Sequence, residues 1–269
     1  MLALLIDGAM PADASLAVAV NDRGLQYGDG LFETARLTGG RVRFLAAHLQ
    51  RLADGCERLG FAAPDRATLT TEIDTVISGH DEGVVKIVVT RGVGGRGYRP
   101  ARDVIPTRIV ALYPSPAVGD DVGIRVRWCE TRLGRNARLA GLKHLNRLEQ
   151  ILAQAEWDDP TIEEGLMLDT EGELVCATAG NLFLVRDGEL ITHDLRYCGV
   201  RGVMREHVLG QARSLGIAAR EAPLWPADLE QAAEVFITNA VRGLRHVVQL
   251  DDRRWARGPV CESLRRTLS

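Results

Sequence analysis

Lysine is nearly absent from this chain. Of its 33 basic residues only Lys86 and Lys143 are lysine, and the other 31 are arginine. A lysine that stays is a candidate for chemistry a guanidinium cannot do, which is to lose its proton and act as a free amine. Lys143 lies in the stretch Ala140-Gly141-Leu142-Lys143-His144-Leu145-Asn146-Arg147-Leu148-Glu149-Gln150. Asn146 with Glu149 three residues on has the form of a capping box, and Leu145, Leu148, Leu152 and Ala155 follow at helical spacing. Lys143 is thereby expected just before a helix N-terminus. The partial positive charge there, and partial burial beside Leu142 and Leu145, both disfavour an ammonium. An amine that attacks carbonyl carbon needs that bias. The same features fit a surface residue at the start of a helix, and the local sequence leaves both readings open.

Three further stretches carry groups able to hold an anion. Arg51 borders the apolar stripe Leu45, Leu49, Leu52, Cys56 and Leu59 of an amphipathic helix, where it either snorkels or binds an anion. Cys198-Gly199-Val200-Arg201-Gly202 opens a helix expected over 203–214, and glycines at a helix start let backbone N–H groups approach a phosphate. Val235 to Ala240 is a strand ending in Thr238 and Asn239, whose hydroxyl and amide could reach the same anion.

A fourth stretch is a false lead. Arg91-Gly92-Val93-Gly94-Gly95-Arg96-Gly97-Tyr98 satisfies GxGxxG directly after a strand over 84–90, which is half of a dinucleotide-binding fingerprint. The next strand, over 107–113, begins too soon for a crossover helix. The two strands should pair antiparallel, with Arg91, Arg96 and Tyr98 projecting from the loop.

The elements that must position these groups read as α+β. A tight glycine-rich turn around Tyr27 (Gly24, Gly28, Gly30) leads into a strand over 31–37, then the helix bearing Arg51, then a helix near 69–77 and the two strands flanking the glycine loop. Pro114-Ser115-Pro116 and Gly119-Asp120-Asp121 mark a linker at 115–119 between a first domain, 1–114, and a second, 120–269. The second is expected to carry Lys143 and, from Glu164 on, a β-meander with a hairpin turn at Arg186-Asp187-Gly188.

Bulk properties exclude several classes. A net charge of -3 and a pI near 6.1 give no footprint for nucleic acid or an anionic membrane, and no apolar stretch reaches membrane-spanning length. The first ten residues read as a strand and turn, without the basic flank of a signal peptide. Five scattered cysteines without a CxxC pair, Cys56, Cys129, Cys176, Cys198 and Cys261, suit a reducing cytoplasm and form neither a disulfide framework nor a metal site. The six histidines show no metal-ligand spacing. No GxSxG elbow or phosphate-binding P-loop is present.

Taken together, RGLQYGDGLFETARL, HLQRL, GLKHLNRLEQ, NLF, CGVRGVMRE and FITNA, in this order, resemble the class-IV (fold-type IV) pyridoxal-phosphate enzymes. These include D-amino-acid and branched-chain aminotransferases and 4-amino-4-deoxychorismate lyases. RGVGGRGY and LKHLNRLEQ resemble the lyases more closely. The resemblance implies a two-domain, D-amino-acid aminotransferase-like fold with pyridoxal 5'-phosphate between the domains, usually in a homodimer. Lys143 matches the Schiff-base lysine, and Arg51 the arginine on the coenzyme phosphate. Val200 and Arg201 match backbone donors to that phosphate, and Thr238 and Asn239 its second binding turn. The activity implied is conversion of 4-amino-4-deoxychorismate to 4-aminobenzoate and pyruvate, a step in folate synthesis, with transamination as the alternative on the same scaffold. A binding protein that kept the fold and lost the chemistry is a third reading. Arg96 is the first choice for a substrate carboxylate, and Tyr27 and Tyr98 for lining the substrate ring. One position departs: where the family has a glutamate paired with the pyridine nitrogen, this chain has Cys176. Glu173, an odd number of residues away, should face the other side of a regular strand. A missing carboxylate weakens the coenzyme as an electron sink, which tells more against transamination than against a lyase helped by aromatisation.

Overall fold

A computed structural model of the chain describes residues 1–14, 18–101, 103–116 and 123–268. The chain divides into two units, Met1–Ala117 with Lys143–Asn146, and Val118–Leu142 with Arg147–Ser269. Residues 117–119 of the expected linker lie outside the described residues. The division differs from the sequence expectation in one respect: the contacts of Lys143 assign it to the first unit, not the second.

The first unit is a five-stranded antiparallel sheet in the order β1-β5-β4-β2-β3. Its strands are β1 (Ala3–Ile6), β2 (Gly30–Thr38), β3 (Arg41–Val42), β4 (Gly83–Thr90) and β5 (Arg108–Tyr113), with the short helix α1 (Arg23–Tyr27) ahead of β2. Helix α2 (Leu45–Leu59) packs on β2, and α3 (Arg66–Ile77) on β1 and β5. The expected stripe of α2 buries Leu49, Leu52 and Cys56. Gly55 lets this helix approach closely, since a Cβ there would lie 2.6 Å from Leu31 Cδ1. As expected from the loop length, β4 and β5 are antiparallel neighbours and the glycine loop joins them.

The edge of β2 is shared. β3 pairs only with Leu37 and Thr38, and the segment from Lys143 takes the other end: Phe32 N–H donates to Lys143 O (3.0 Å) and Leu145 N–H to Gly30 O (3.0 Å). The glycines around Tyr27 are there for close approach. A Cβ at Gly30 would meet Val89 O at 2.5 Å and one at Gly28 would meet Asn146 Oδ1 at 2.6 Å.

The second unit holds a nine-stranded mixed sheet. The strands are β6 (Ile124–Trp128), β7 (Ile162–Leu168), β8 (Leu174–Ala177), β9 (Asn181–Arg186), β10 (Glu189–Thr192), β11 (Ala219–Glu221), β12 (Glu234–Asn239), β13 (Gly243–Leu250) and β14 (Arg253–Arg254). The expected meander is only partly realised. β7–β8 and β9–β10 are antiparallel hairpins, but β12 sits beside β9, and β6 runs parallel to both β7 and β13. A bridge between Ala177 and Gly180 links the end of β8 to the turn before β9, curling the sheet around a core that includes Leu166, Leu182, Leu184, Val235 and Ile237. Helices α4 (Leu148–Gln154), α5 (Val203–Ser214) and α6 (Pro259–Leu268) complete the unit.

The capping box expected at Asn146 does not form. α4 begins at Leu148, with Arg147 at its N-cap and no side-chain cap. The Asn146 amide donates instead to Gly28 O (3.0 Å), and Glu149 accepts from Gly134 N–H (2.7 Å). A tertiary partner has taken each group that the local motif would pair. The apolar stripe expected behind it is also largely outward: Leu148, Leu152 and Ala155 are exposed, as is Ile151 beside them, while Ala153 is buried.

Candidate active site

Lys143 is half-buried, and its neighbour is an aromatic face. The amine stands 4.1 Å from the centroid of the Phe32 ring. Lys143 is therefore not at a helix terminus as expected: α4 starts five residues later, and the amine instead meets the negative face of a π system. The chain's other lysine shares the ring: Lys86 Nζ is 5.9 Å from the same centroid. Both scarce amines thus serve one place in the fold.

Arg51 emerges from α2 into an ion pair absent from the sequence reading. Its Nε and Nη2 donate to Glu33 Oε1 (2.7 Å) and Oε2 (2.5 Å), and His48 Nδ1 lies 2.6 Å from the same Oε2. Burial alone would raise the Glu33 carboxyl, but His48 and Arg51 more than offset it and hold it below the ordinary carboxylate range. The arginine is fixed rather than snorkelling, as an anion-binding guanidinium must be. The signal was present, since Glu33 occupies a core-facing position of β2 alternating with Leu31, Ala35 and Leu37.

The glycine loop is held from below by Arg23, a residue the sequence reading passed over. Buried at the start of α1, Arg23 donates to Gly97 O (3.0 Å), Tyr98 O (3.1 Å) and Asp29 (2.9 Å). Arg91 was expected at the loop tip but is buried, bonded to Asp29, Leu59 O and Gly60 O. It anchors the base of the loop because its carbonyl partners at the end of α2 lie within reach. Arg96 and Tyr98 are exposed as expected. Tyr27 meets Tyr98 edge to face, with centroids 5.6 Å apart, and its hydroxyl accepts from Gly97 N–H (3.1 Å).

In the second unit the start of α5, Asn181 and Thr238 come together as a candidate cradle for an anion. α5 is capped by Gly202 without a side-chain hydrogen bond, leaving its first N–H groups to other partners. A Cβ at Gly202 would lie 2.1 Å from Asn181 Oδ1, so only glycine fits. Asn181 donates to Val200 O (2.8 Å) and is the cross-strand partner of Thr238. The Thr238 hydroxyl is buried and has no hydrogen-bond partner among the described residues, an arrangement that costs stability unless something fills it. Two expected donors are corrected. Arg201 N–H is already given to Gly141 O (3.1 Å), and the Asn239 side chain builds its own turn by accepting from Val241 and Arg242 N–H.

Cys176 is buried among Cys129, Val175, Met167, Leu195 and Cys198. Burial pushes its thiol well above the usual range, Cys198 adds to the rise, and the Arg147 guanidinium opposes it. The strand parity expected for Glu173 does not apply, because β8 carries a bulge opposite Met167 and Leu168 that interrupts alternation. Glu173 is unable to replace the missing carboxylate for another reason: it is held by His193 (2.9 Å), Arg135 (3.0 Å) and Arg196 (3.3 Å). Among the described residues no group of three or more His, Cys, Asp or Glu could hold a metal ion, and no helix is long and apolar enough to cross a membrane.

The order of elements, the lysine on the β2 edge and the glycine-started α5 beside β12 define a class of protein. Residues 30–250 match the Amino-transferase class IV family, and the chain belongs to it. Among its relatives, an aminodeoxychorismate lyase of Vibrio harveyi is 35% identical over 234 residues, 86% of each chain. The crystal structure of 4-amino-4-deoxychorismate lyase from Pseudomonas aeruginosa is 43% identical, covers 98% of this chain and 97% of that one, and superposes with a TM-score of 0.93. A putative branched-chain-amino-acid aminotransferase of Methanocaldococcus jannaschii is 32% identical over 258 residues, 93% of this chain and 88% of its own.

Proposed function

We propose that this chain is a pyridoxal 5'-phosphate-dependent lyase that converts 4-amino-4-deoxychorismate to 4-aminobenzoate and pyruvate. The cradle fits the coenzyme on an observation independent of family: the buried Thr238 hydroxyl lacks a partner among the described residues, and a phosphate oxygen is the acceptor it needs. When bound, the coenzyme supplies an electrophilic carbonyl and an electron-withdrawing ring. In the second unit Thr238, the Val200 N–H and the first N–H groups of α5 would hold the phosphate; Arg51, fixed by Glu33 in the first unit, is carried to that phosphate by the resemblance alone. Asn239 shapes the turn beside Thr238.

The Lys143 amine would hold the coenzyme and, as a free amine, would be the base that removes the proton from the ring carbon bearing nitrogen. Returning a proton to the departing enolpyruvyl oxygen falls to the same amine. Arg96 pairs with a substrate carboxylate, while Tyr27 and Tyr98 flank the ring.

The observation that carries the lyase reading over amino transfer is Cys176, a buried thiol at the position of the pyridine-nitrogen carboxylate. Similarity to the two lyases over most of their length supports the same choice. The archaeal aminotransferase relative keeps D-amino-acid or branched-chain transamination as the second reading. A homodimer in the cytoplasm completes the proposal, with the exposed Leu148, Ile151 and Leu152 of α4 offering a face for a second copy.

The test is release of 4-aminobenzoate from 4-amino-4-deoxychorismate by wild type beside Lys143→Ala, with keto-acid-dependent amino transfer assayed in parallel. Release by wild type and a fall of roughly 10²–10⁴-fold in the variant are expected. Amino transfer without lyase turnover would transfer the assignment to the second reading.

A further inference from the structure

A carboxyl and a hydroxyl, both buried, stand behind the turn that joins β8 to β9. Glu164 on β7 accepts at a single oxygen, Oε2, from the Thr178 hydroxyl (2.5 Å) and from the Ala179 N–H (3.1 Å). The Thr178 hydroxyl accepts in turn from the Gln154 amide of α4 (2.6 Å) and from the Gly165 N–H (3.4 Å). A hydroxyl has one hydrogen and two lone pairs. Both Thr178 lone pairs are therefore taken, and its hydrogen has one destination, Glu164. The Thr178 N–H donates to Gly165 O (2.9 Å), which closes the turn onto β7. A network whose donors and acceptors are matched in this way holds one geometry, and α4, β7 and the turn all meet in it.

The other side of the turn lies against the end of β12. Gly180 has no room for a side chain, since a Cβ there would lie 2.4 Å from Ile237 Cγ2 and 2.9 Å from Thr238 O. The Asn239 amide donates to Ala179 O (3.1 Å). Asn181, which follows the turn, is the cross-strand partner of Thr238 and donates to Val200 O (2.8 Å). The turn thus touches three consecutive residues, Ile237, Thr238 and Asn239, and the network behind it decides where it sits. A carboxyl is a costly way to hold a turn, and burial does raise the Glu164 carboxyl above its ordinary range. What it supplies, and an apolar side chain cannot, is one oxygen that accepts from two donors.

We propose that Glu164 is the positioning residue of the cradle: by fixing Thr178 and Ala179 it sets where the Thr238 hydroxyl stands toward an anion. It acts through the turn and touches no ligand. The inference rests on the reading of the cradle as the coenzyme phosphate site and adds what holds that site in place.

The test titrates the purified protein with pyridoxal 5'-phosphate and, separately, with pyridoxal, and reads the ratio of the two affinities, which isolates the phosphate. Glu164→Leu fills the volume and removes the acceptor, and its ratio is expected to fall about tenfold, the weight of one hydrogen bond to a charged group. Glu164→Gln keeps an acceptor oxygen for both donors and is expected to keep the wild-type ratio. Thr178→Val, which leaves the Ala179 bond in place, is expected to lower the ratio by less than Glu164→Leu. Pyridoxal affinity should stay at the wild-type value in all three. An unchanged ratio in Glu164→Leu overturns the proposal, as does a loss shared equally by both compounds, which is general loosening, or a Glu164→Gln ratio as low as that of Glu164→Leu. If Glu164→Leu does not fold, Thr178→Val decides, and an unchanged ratio there overturns it. A wild-type protein that binds the two compounds equally is a different failure, which removes the phosphate-site reading and this inference with it.

Discussion

Glu33 grips Arg51 through two hydrogen bonds, Nε to Oε1 at 2.7 Å and Nη2 to Oε2 at 2.5 Å, with His48 sharing the second oxygen. The carboxylate is 1% exposed, so Arg51 and His48 both lean on an anion that water cannot replace. Glu33→Gln keeps the shape and removes the charge. Breaking a buried pair in this way costs about 3–5 kcal/mol, and an arginine less firmly aimed should weaken phosphate binding. We expect coenzyme affinity to fall about tenfold, near 1.4 kcal/mol, as measured by titration of the coenzyme absorbance. Unchanged affinity in a folded variant would show that Arg51 needs no such support.

The same carboxylate makes a prediction about acid. Burial raises it, and the bonds from His48 and Arg51 lower it further than burial raises it, so the folded value lies below the unfolded one. Its stabilisation is therefore complete above the unfolded carboxylate value and disappears as pH falls through the folded one. Urea midpoints of wild type and Glu33→Gln should differ most near neutrality and converge below about pH 4.

Glu164 has the opposite sign. Burial raises its carboxyl despite bonds from Thr178 and Ala179, so its folded state is favoured below the unfolded value and penalised as pH rises through the folded one. Glu164→Gln keeps an acceptor for both donors and removes the charge. Thermal unfolding of the variant should occur at a higher temperature than wild type near pH 8, and the gain should vanish at acidic pH. A variant less stable than wild type near pH 8 would mean that the charged carboxylate is stabilised by a cationic partner.

These contrasts show what the sequence could carry. Lys143 stood out because lysine is scarce, and the α2 stripe and the α5 start were legible because both are local patterns. Glu33 was overlooked because its meaning depends on His48 and Arg51 two elements later. The capping box at Asn146 failed because Gly28 O, 118 positions away, competes for the same amide. The bulge in β8 is invisible to alternation, since no residue in Leu174-Val175-Cys176-Ala177 marks it. Local periodicity fixed where elements lie, and long-range pairing decided which of their charged groups face one another.

Arg23 should control the glycine loop. It is 3% exposed and holds the Gly97 and Tyr98 carbonyls together with Asp29. Arg23→Met retains much of the packing volume and removes all three bonds. The loop bearing Arg96 and Tyr98 should then be cut faster by protease between residues 94 and 99. If Arg96 contacts the substrate, KM should rise about tenfold with a smaller change in kcat, since a contact used equally in ground and transition states is lost.

Thr238 gives a prediction in which two measurements move in opposite directions. Its hydroxyl is buried, 1% exposed as a residue, and without a partner among the described residues. Thr238→Val replaces that hydroxyl with a methyl of similar size. Without coenzyme the variant should be as stable as wild type or up to about 1 kcal/mol more stable, because an unsatisfied polar group has been removed from the interior. With coenzyme the order reverses: a hydrogen bond to a charged phosphate is worth about 1.5–3 kcal/mol, so affinity should fall roughly tenfold or more. Thermal unfolding with and without pyridoxal 5'-phosphate reads both effects in one experiment. A variant that loses stability without coenzyme, or binds it as tightly as wild type, would show that the Thr238 hydroxyl satisfies the protein and not a ligand.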